Sequence, residues 1–180
     1  AHVLGGGKTS RLYRSLVREK QIAQDVQAFQ DGMELTGMFI SEALDHLGSI
    51  ESTVLALESS PGDVKLLNDL FRPFHAIKGN AGVVGAVSVQ ILAHEVENLL
   101  DLGRSGELAF GEDEINAILK AVDVLTAMIS GLKLKIAGQV APDVTVERDT
   151  LMKVIDAIVS GGPPAAPVAP REAPRPPPST

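Results

Sequence analysis

The chain has 180 residues, a formal net charge of −7 and no cysteine, which is enough for one domain of ordinary size and excludes disulfides and thiolate metal sites. Hydrophobic residues make up 44%, yet there are only five Phe, one Tyr and no Trp, so the core must be aliphatic. Basic residues form no stripe interleaved with aromatics, which argues against nucleic-acid binding, and no uninterrupted apolar run approaches the ~18 residues of a membrane span.

In chain order, the opening Gly5-Gly6-Gly7-Lys8 carries no apolar signal core, so no export signal is expected and the cytoplasm is the expected location. Leu12, Tyr13, Leu16 and Val17 follow Thr9 and Ser10, two candidate caps, and predict a short helix. Gln21 to Phe29 partly alternates and predicts a more extended, strand-like segment. Five amphipathic patterns with a 3.6-residue period come next. The first holds Ile40, Ala43, Leu44, Leu47, Ile50, Val54 and Leu57, and the second Leu67, Leu70, Phe71, Phe74 and Ile77. The third holds Leu92, Val96 and Leu99, and the fourth Ile115, Ile118, Leu119, Val122, Leu125, Ile129, Leu132 and Ile136. The fifth is short, with Leu151, Val154, Ile155 and Ile158.

Turn chemistry separates these patterns. Ser59-Ser60-Pro61-Gly62-Asp63 offers Asp63 as an N-cap, Gly85 to Ser88 divides the second pattern from the third, and Gly103 to Gly106 ends the third. Gly111-Glu112-Asp113 opens the fourth with acids in its first turn, and Gly138 to Pro142 leads to the fifth. Short connections between long striped helices predict an all-α, up-down antiparallel bundle. From Ser160 the chain becomes a proline-rich tether, extended and without a core, which suggests further domains in a longer parent.

Chemistry concentrates on the second and third helices. His75, Lys78, Gly79 and Gly82 stand at i, i+3, i+4 and i+7, one helical face. An interior glycine costs roughly 1 kcal/mol against alanine, so Gly79 and Gly82 call for a reason, and access of a partner to His75 supplies one. His75 lies about 40° from Phe71 on a helical wheel, at the edge of the apolar stripe, and should be partly exposed. On the third helix His94, Glu97 and Asp101 share a face opposite Leu92. If the helices pack side by side, Glu97 accepts a hydrogen bond from one ring nitrogen of His75 and leaves the other as a nucleophile. Such an imidazole beside a lysine suits reversible phosphorylation on nitrogen, with Lys78 offsetting the charge of the incoming group. His2 and His46 match no pattern and read as surface residues.

Phe71 to Asp101 closely resembles the histidine-containing phosphotransfer (HPt) domain at the N-terminus of chemotaxis-type histidine kinases. That family's pattern is His-x-x-Lys-Gly, a further Gly three positions on, and His-x-x-Glu on the next helix. His75, Lys78, Gly79, Gly82, His94 and Glu97 fill it without departure. The resemblance runs from about Phe39 to about Ile136 and includes Glu42-Ala43-Leu44, Leu67-Asn68 and Glu97-Asn98-Leu99-Leu100-Asp101. It implies a four-helix bundle with a fifth helix at Leu151 to Ile158. It implies His75 as phosphoacceptor, Glu97 as its orienting partner, and Lys78 and His94 as supporting polar groups. It also implies a phosphocarrier, not itself an enzyme, that needs no cofactor or metal. Its partners would be a histidine kinase catalytic domain and a response-regulator receiver domain, with no nucleic acid and no membrane insertion.

Leu4-Gly5-Gly6-Gly7-Lys8-Thr9-Ser10-Arg11-Leu12-Tyr13 and Leu16-Val17-Arg18-Glu19-Lys20-Gln21-Ile22-Ala23 resemble a fragment of the insulinase-type (M16, pitrilysin) zinc peptidases, a likeness extending to about Phe39. That family's zinc motif is His-x-x-Glu-His, and His94-Glu95-Val96-Glu97 is followed by Asn98, so no peptidase chemistry is expected. The alternative function it offers is a non-catalytic, peptidase-like binding module. Gly7-Lys8-Thr9 is no phosphate-binding loop, because His2 stands where that loop needs its first Gly and no strand precedes it. The expected division is residues 1–32 as the peptidase-like fragment, a short helix plus an extended segment, 33–159 as the HPt domain, and 160–180 as linker.

Overall fold

The apolar positions spaced by threes and fours converge on one aliphatic core. In this computed structural model, which describes the backbone of residues 11–161 and the side chains of residues 32–161, five helices follow one another. They are α1 (Arg11–Ser59), α2 (Val64–Val83), α3 (Val87–Ser105), α4 (Glu112–Ile136) and α5 (Thr145–Gly161). Helix α1 packs against α2 and α4, and α3 packs against the same two, which closes a four-helix bundle. Helix α5 lies outside the ring against α3 and α4. Leu47, Ile50, Leu57, Leu67, Leu70, Phe74, Ile77, Leu92, Leu99, Leu100, Ile118 and Leu125 are fully buried between them. Of the predicted stripes, only Val154 and Ile136 end up exposed.

The ends of the helices follow from local chemistry. Asp63 caps α2, its carboxylate accepting from the Lys65 N–H at 2.8 Å and, more weakly, from the Leu66 N–H at 3.4 Å. At α4 the Glu114 carboxylate reaches back to the Gly111 N–H at 2.7 Å. Acids in the first turn of α4 and Lys133 and Lys135 in its last turn complement the helix dipole. The α3–α4 connection tucks Leu108 and Phe110 into the core, and Gly103 has no Cβ because one would collide with the Phe110 ring. Helix α4 is long and apolar enough by composition to cross a membrane. Its apolar residues Ile115, Ile118, Leu125 and Ile129 instead form core, and Lys120 and Asp123 interrupt it.

One expectation is overturned. Gln21 to Phe29 is not strand-like, and Leu12 to Val17 is not a separate short helix, because α1 runs unbroken through both. The reason lies in the same residues. Ile22, Val26 and Phe29 are spaced four and three apart, a helical register, and no Gly or Pro interrupts Arg11 to Asp31. The boundary expected after residue 32 falls inside this helix. The candidate caps Thr9 and Ser10, His2, the glycine-rich opening and the proline-rich tether from residue 162 on lie outside the described residues.

Candidate functional site

Helix α2 is anchored by Phe74 and Ile77, and α3 by Val96, Leu99 and Leu100, all fully buried. Each anchor fixes its neighbours by about 100° of rotation per residue. His75, next to Phe74, turns outward, and Lys78, next to Ile77, turns toward α3. Glu97, between Val96 and Leu99, is held in the α2–α3 seam. The outcome is one charged cluster at the edge of an apolar interface. The His75 side chain is 62% exposed while that of Glu97 is only 11% exposed.

His75 Nδ1 lies 3.0 Å from Glu97 Oε1. A carboxylate only accepts, so Nδ1 carries the proton and donates it to the bond. No group among the described residues bonds Nε2, whose lone pair is left available on the exposed ring. Lys78 Nζ straddles the same carboxylate, 2.9 Å from Oε1 and 2.7 Å from Oε2. The approach to Oε2 is ionic in character, since that oxygen receives no well-directed hydrogen bond. Burial pushes the Glu97 carboxyl upward, but hydrogen bonds from Lys78 and His75, with their charges, outweigh it and hold the group below its ordinary value. Glu97 therefore stays ionised at neutral pH and keeps the Nδ1–H tautomer of His75.

The glycines part company. A Cβ on Gly79 would meet nothing within 4 Å, so the space one turn beyond His75 is open. A Cβ on Gly82 would meet the Gln90 side chain, with Nε2 at 2.7 Å. That contact is with the tip of a flexible side chain, which can shift, so Gly82 meets a neighbour on α3 where Gly79 meets none. His94 is exposed, and its ring makes no hydrogen bond or ion pair among the described residues.

Two neighbours escaped the sequence reading as site residues. Phe71 stacks on His75 with ring centroids 5.7 Å apart and planes inclined by 17°. Its place at i−4 was the available signal, because side chains four apart on a helix meet. Arg104, whose guanidinium lies 4.1 Å from the centre of the Phe71 ring, comes from another helix and has no local signal. Asp101, grouped with Glu97 by spacing, pairs with Arg104 at 3.2 Å instead.

Among the described residues no three His, Cys, Asp or Glu side chains converge as a metal site. A concavity of about 790 Å³ lies between α4 and α5, lined by Ala117, Leu151, Val154 and Ile158, and no member of the His75 cluster borders it. The His75 ring belongs to an exposed side chain, as suits a reaction with another macromolecule.

The model of the family described as Hpt domain matches residues 34–133. The chain belongs to the Hpt family. This Hpt domain is a histidine phosphotransfer module of chemotaxis-type signalling. It is 33% identical over 124 residues to the chemotaxis protein CheA of Halobacterium salinarum, a match covering 69% of this chain and 18% of that protein. The chain thus spans less than a fifth of this relative's length. The Hpt domain is similar to the CheA phosphotransferase domain from Thermotoga maritima, with 37% identity, a TM-score of 0.54, and coverage of 56% of this chain and 96% of that one. It shares its fold with the phosphorylated P1 domain of CheA3 in complex with CheY6 from R. sphaeroides, at 24% identity and a TM-score of 0.60, covering 71% of this chain and 97% of that one. A second model, described as Peptidase M16 inactive domain, matches residues 1–43, so the two matches overlap within α1.

Proposed function

We propose that His75 carries the phosphoryl group of this Hpt domain on Nε2. The observation that carries the reading is the Nδ1–Glu97 bond, which fixes the tautomer and leaves the exposed nitrogen as nucleophile. In the forward step Nε2 attacks the γ-phosphorus of ATP held by a separate kinase catalytic domain. The N–P bond forms, the P–O bond to ADP breaks, and the ring, still protonated at Nδ1, gains positive charge. Glu97 stabilises that charge across the 3.0 Å contact. In the onward step a carboxylate oxygen of a receiver aspartate attacks phosphorus, and the N–P electron pair returns to Nε2. Lys78 acts first on Glu97, keeping it ionised. Gly79 leaves room for the partner, and His94 supports the rim of the site as a polar group.

The complex of a related P1 domain with CheY6 supports a receiver as the acceptor, and likeness to CheA supports a chemotaxis-type kinase as the donor. In this reading the domain is a carrier and not itself an enzyme, works in the cytoplasm, and folds from about residue 33 to 159. Trimming to residues 31–160 checks that boundary by its effect on unfolding. The function is tested by incubating the chain with a CheA-type kinase core and labelled ATP. The expected label is acid-labile and absent from His75→Gln, whose helical circular dichroism is retained. Label that persists on the variant, or that resists acid, would overturn the assignment.

A further inference from the structure

The Glu97 hydrogen bond secures one atom of the imidazole, but a ring held by one nitrogen can still rock about that contact. A second constraint acts on the ring's face. Phe71 lies nearly parallel to it, at 17°, with a 5.7 Å centroid separation that is an offset stack. Phe71 is half-buried and packs on the core, and the Arg104 guanidinium lies 4.1 Å from its ring centre, well inside cation–π range. Arg104 is itself held by Asp101 at 3.2 Å. Asp101 and Arg104 stand one and two turns beyond Glu97 on α3. One helix thus grips the imidazole twice, at its edge through Glu97 and at its face through Arg104 and Phe71.

We propose that Phe71 and Arg104 are positioning residues for phosphoryl transfer, a stack that sets the plane of His75 and so aims the Nε2 lone pair. This rests on the assignment of His75 as acceptor. Neither residue touches the reacting atoms. Their effect is on the fraction of time the lone pair points along the line of attack. The planar guanidinium suits the stack in a way an ammonium does not.

The test uses the full chain with a CheA-type kinase core and ATP, comparing the parent with Phe71→Leu, Phe71→Tyr and Arg104→Lys. Phe71→Leu keeps apolar bulk and loses the aromatic face. Its kcat should fall about five-fold, the size of one aromatic stack, with KM for the domain unchanged. Phe71→Tyr should restore it, and Arg104→Lys should lose about two-fold. Proton NMR of unphosphorylated chain reads the stack without any reaction. The His75 ring protons, shielded by Phe71 in the parent, should move downfield in Phe71→Leu and return in Phe71→Tyr. Parent-like kcat or unmoved ring protons in Phe71→Leu would overturn the proposal. So would a rise in KM at constant kcat, which marks a docking contact, or a rate loss that merely tracks the unfolded fraction. Failure of the acceptor assignment shows separately, as label remaining on His75→Gln while the ring shifts still respond to Phe71.

Discussion

The α2–α3 seam and the contact of α5 with α3 and α4 are built from the same aliphatic material to different ends. Helix α5 docks through Leu151 and Ile155, with Met152, Ile158 and Val159 partly buried beside them, and no charge is buried there. The α2–α3 seam is the more extensive contact, yet it admits Glu97, the one buried charged residue among the described residues. Helix α2 also carries Pro73, a residue with no N–H to give its helix, two positions before His75. A buried ion pair is seldom better for stability than well-packed apolar side chains of the same size. The carboxylate therefore makes sense through what it holds, the tautomer of His75. The α5 contact only adds burial, while the α2–α3 seam gives some burial up to orient a nucleophile.

The difference can be broken from either side. The largest effect is expected at α5. Ile155 is fully buried, so Ile155→Ala should cost about 2–5 kcal/mol in urea unfolding while leaving phosphorylation per folded molecule unchanged. A loss of rate at full folding would mean that α5 takes part in the chemistry. At the α2–α3 seam the pattern should invert. Glu97→Gln keeps the shape but removes the charged acceptor, and phosphorylation should slow about ten-fold, the size of one hydrogen bond to a charged group. A parent-like rate in that variant would show that the carboxylate is structural.

The same carboxylate sets a pH dependence. Its folded pKa lies below the ordinary 4.5, so its stabilising contribution is fully present above about pH 4.5 and is lost as pH falls through the lower folded value. Unfolding measured at pH 7 and at progressively lower pH should show a component of acid destabilisation in the parent that Glu97→Gln lacks. Identical acid profiles would contradict the coupling with Lys78 and His75. The smallest effect belongs to Gly79. Because a Cβ there meets nothing, Gly79→Ala should stabilise the domain by up to ~1 kcal/mol with little change in phosphorylation. Gly79→Leu should slow it by crowding the partner. Equal rates for all three would show that the open space is not used.

Much of this was readable without coordinates. The stripes of α2 to α5 announced their own helices, because each is bounded by Gly, Pro or Asp turns and repeats at 3.6 residues. Asp63 and Gly111 mark helix starts by side-chain and backbone chemistry that acts within three residues. The α1 helix was misjudged where alternation over Gln21 to Phe29 imitated a strand, although Ile22, Val26 and Phe29 fit a helix as well. Over nine residues the two periods are hard to separate. At the site, spacing was enough to bring His75, Lys78 and Glu97 together, since each sits beside a residue that must be buried. It missed Arg104, whose contact with Phe71 depends on how α2 and α3 cross. Contacts between helices are set by packing, which no single-helix wheel contains.

The account turns on which nitrogen of which residue carries phosphorus. The direct measurement is NMR of the phosphorylated chain with ¹⁵N-labelled histidine, correlating ring nitrogens with ³¹P and with the ring protons. Phosphorus coupled to Nε2 of His75, with Nδ1 still protonated against Glu97, is the predicted result. Phosphorus on Nδ1, or on His46 or His94, would contradict it.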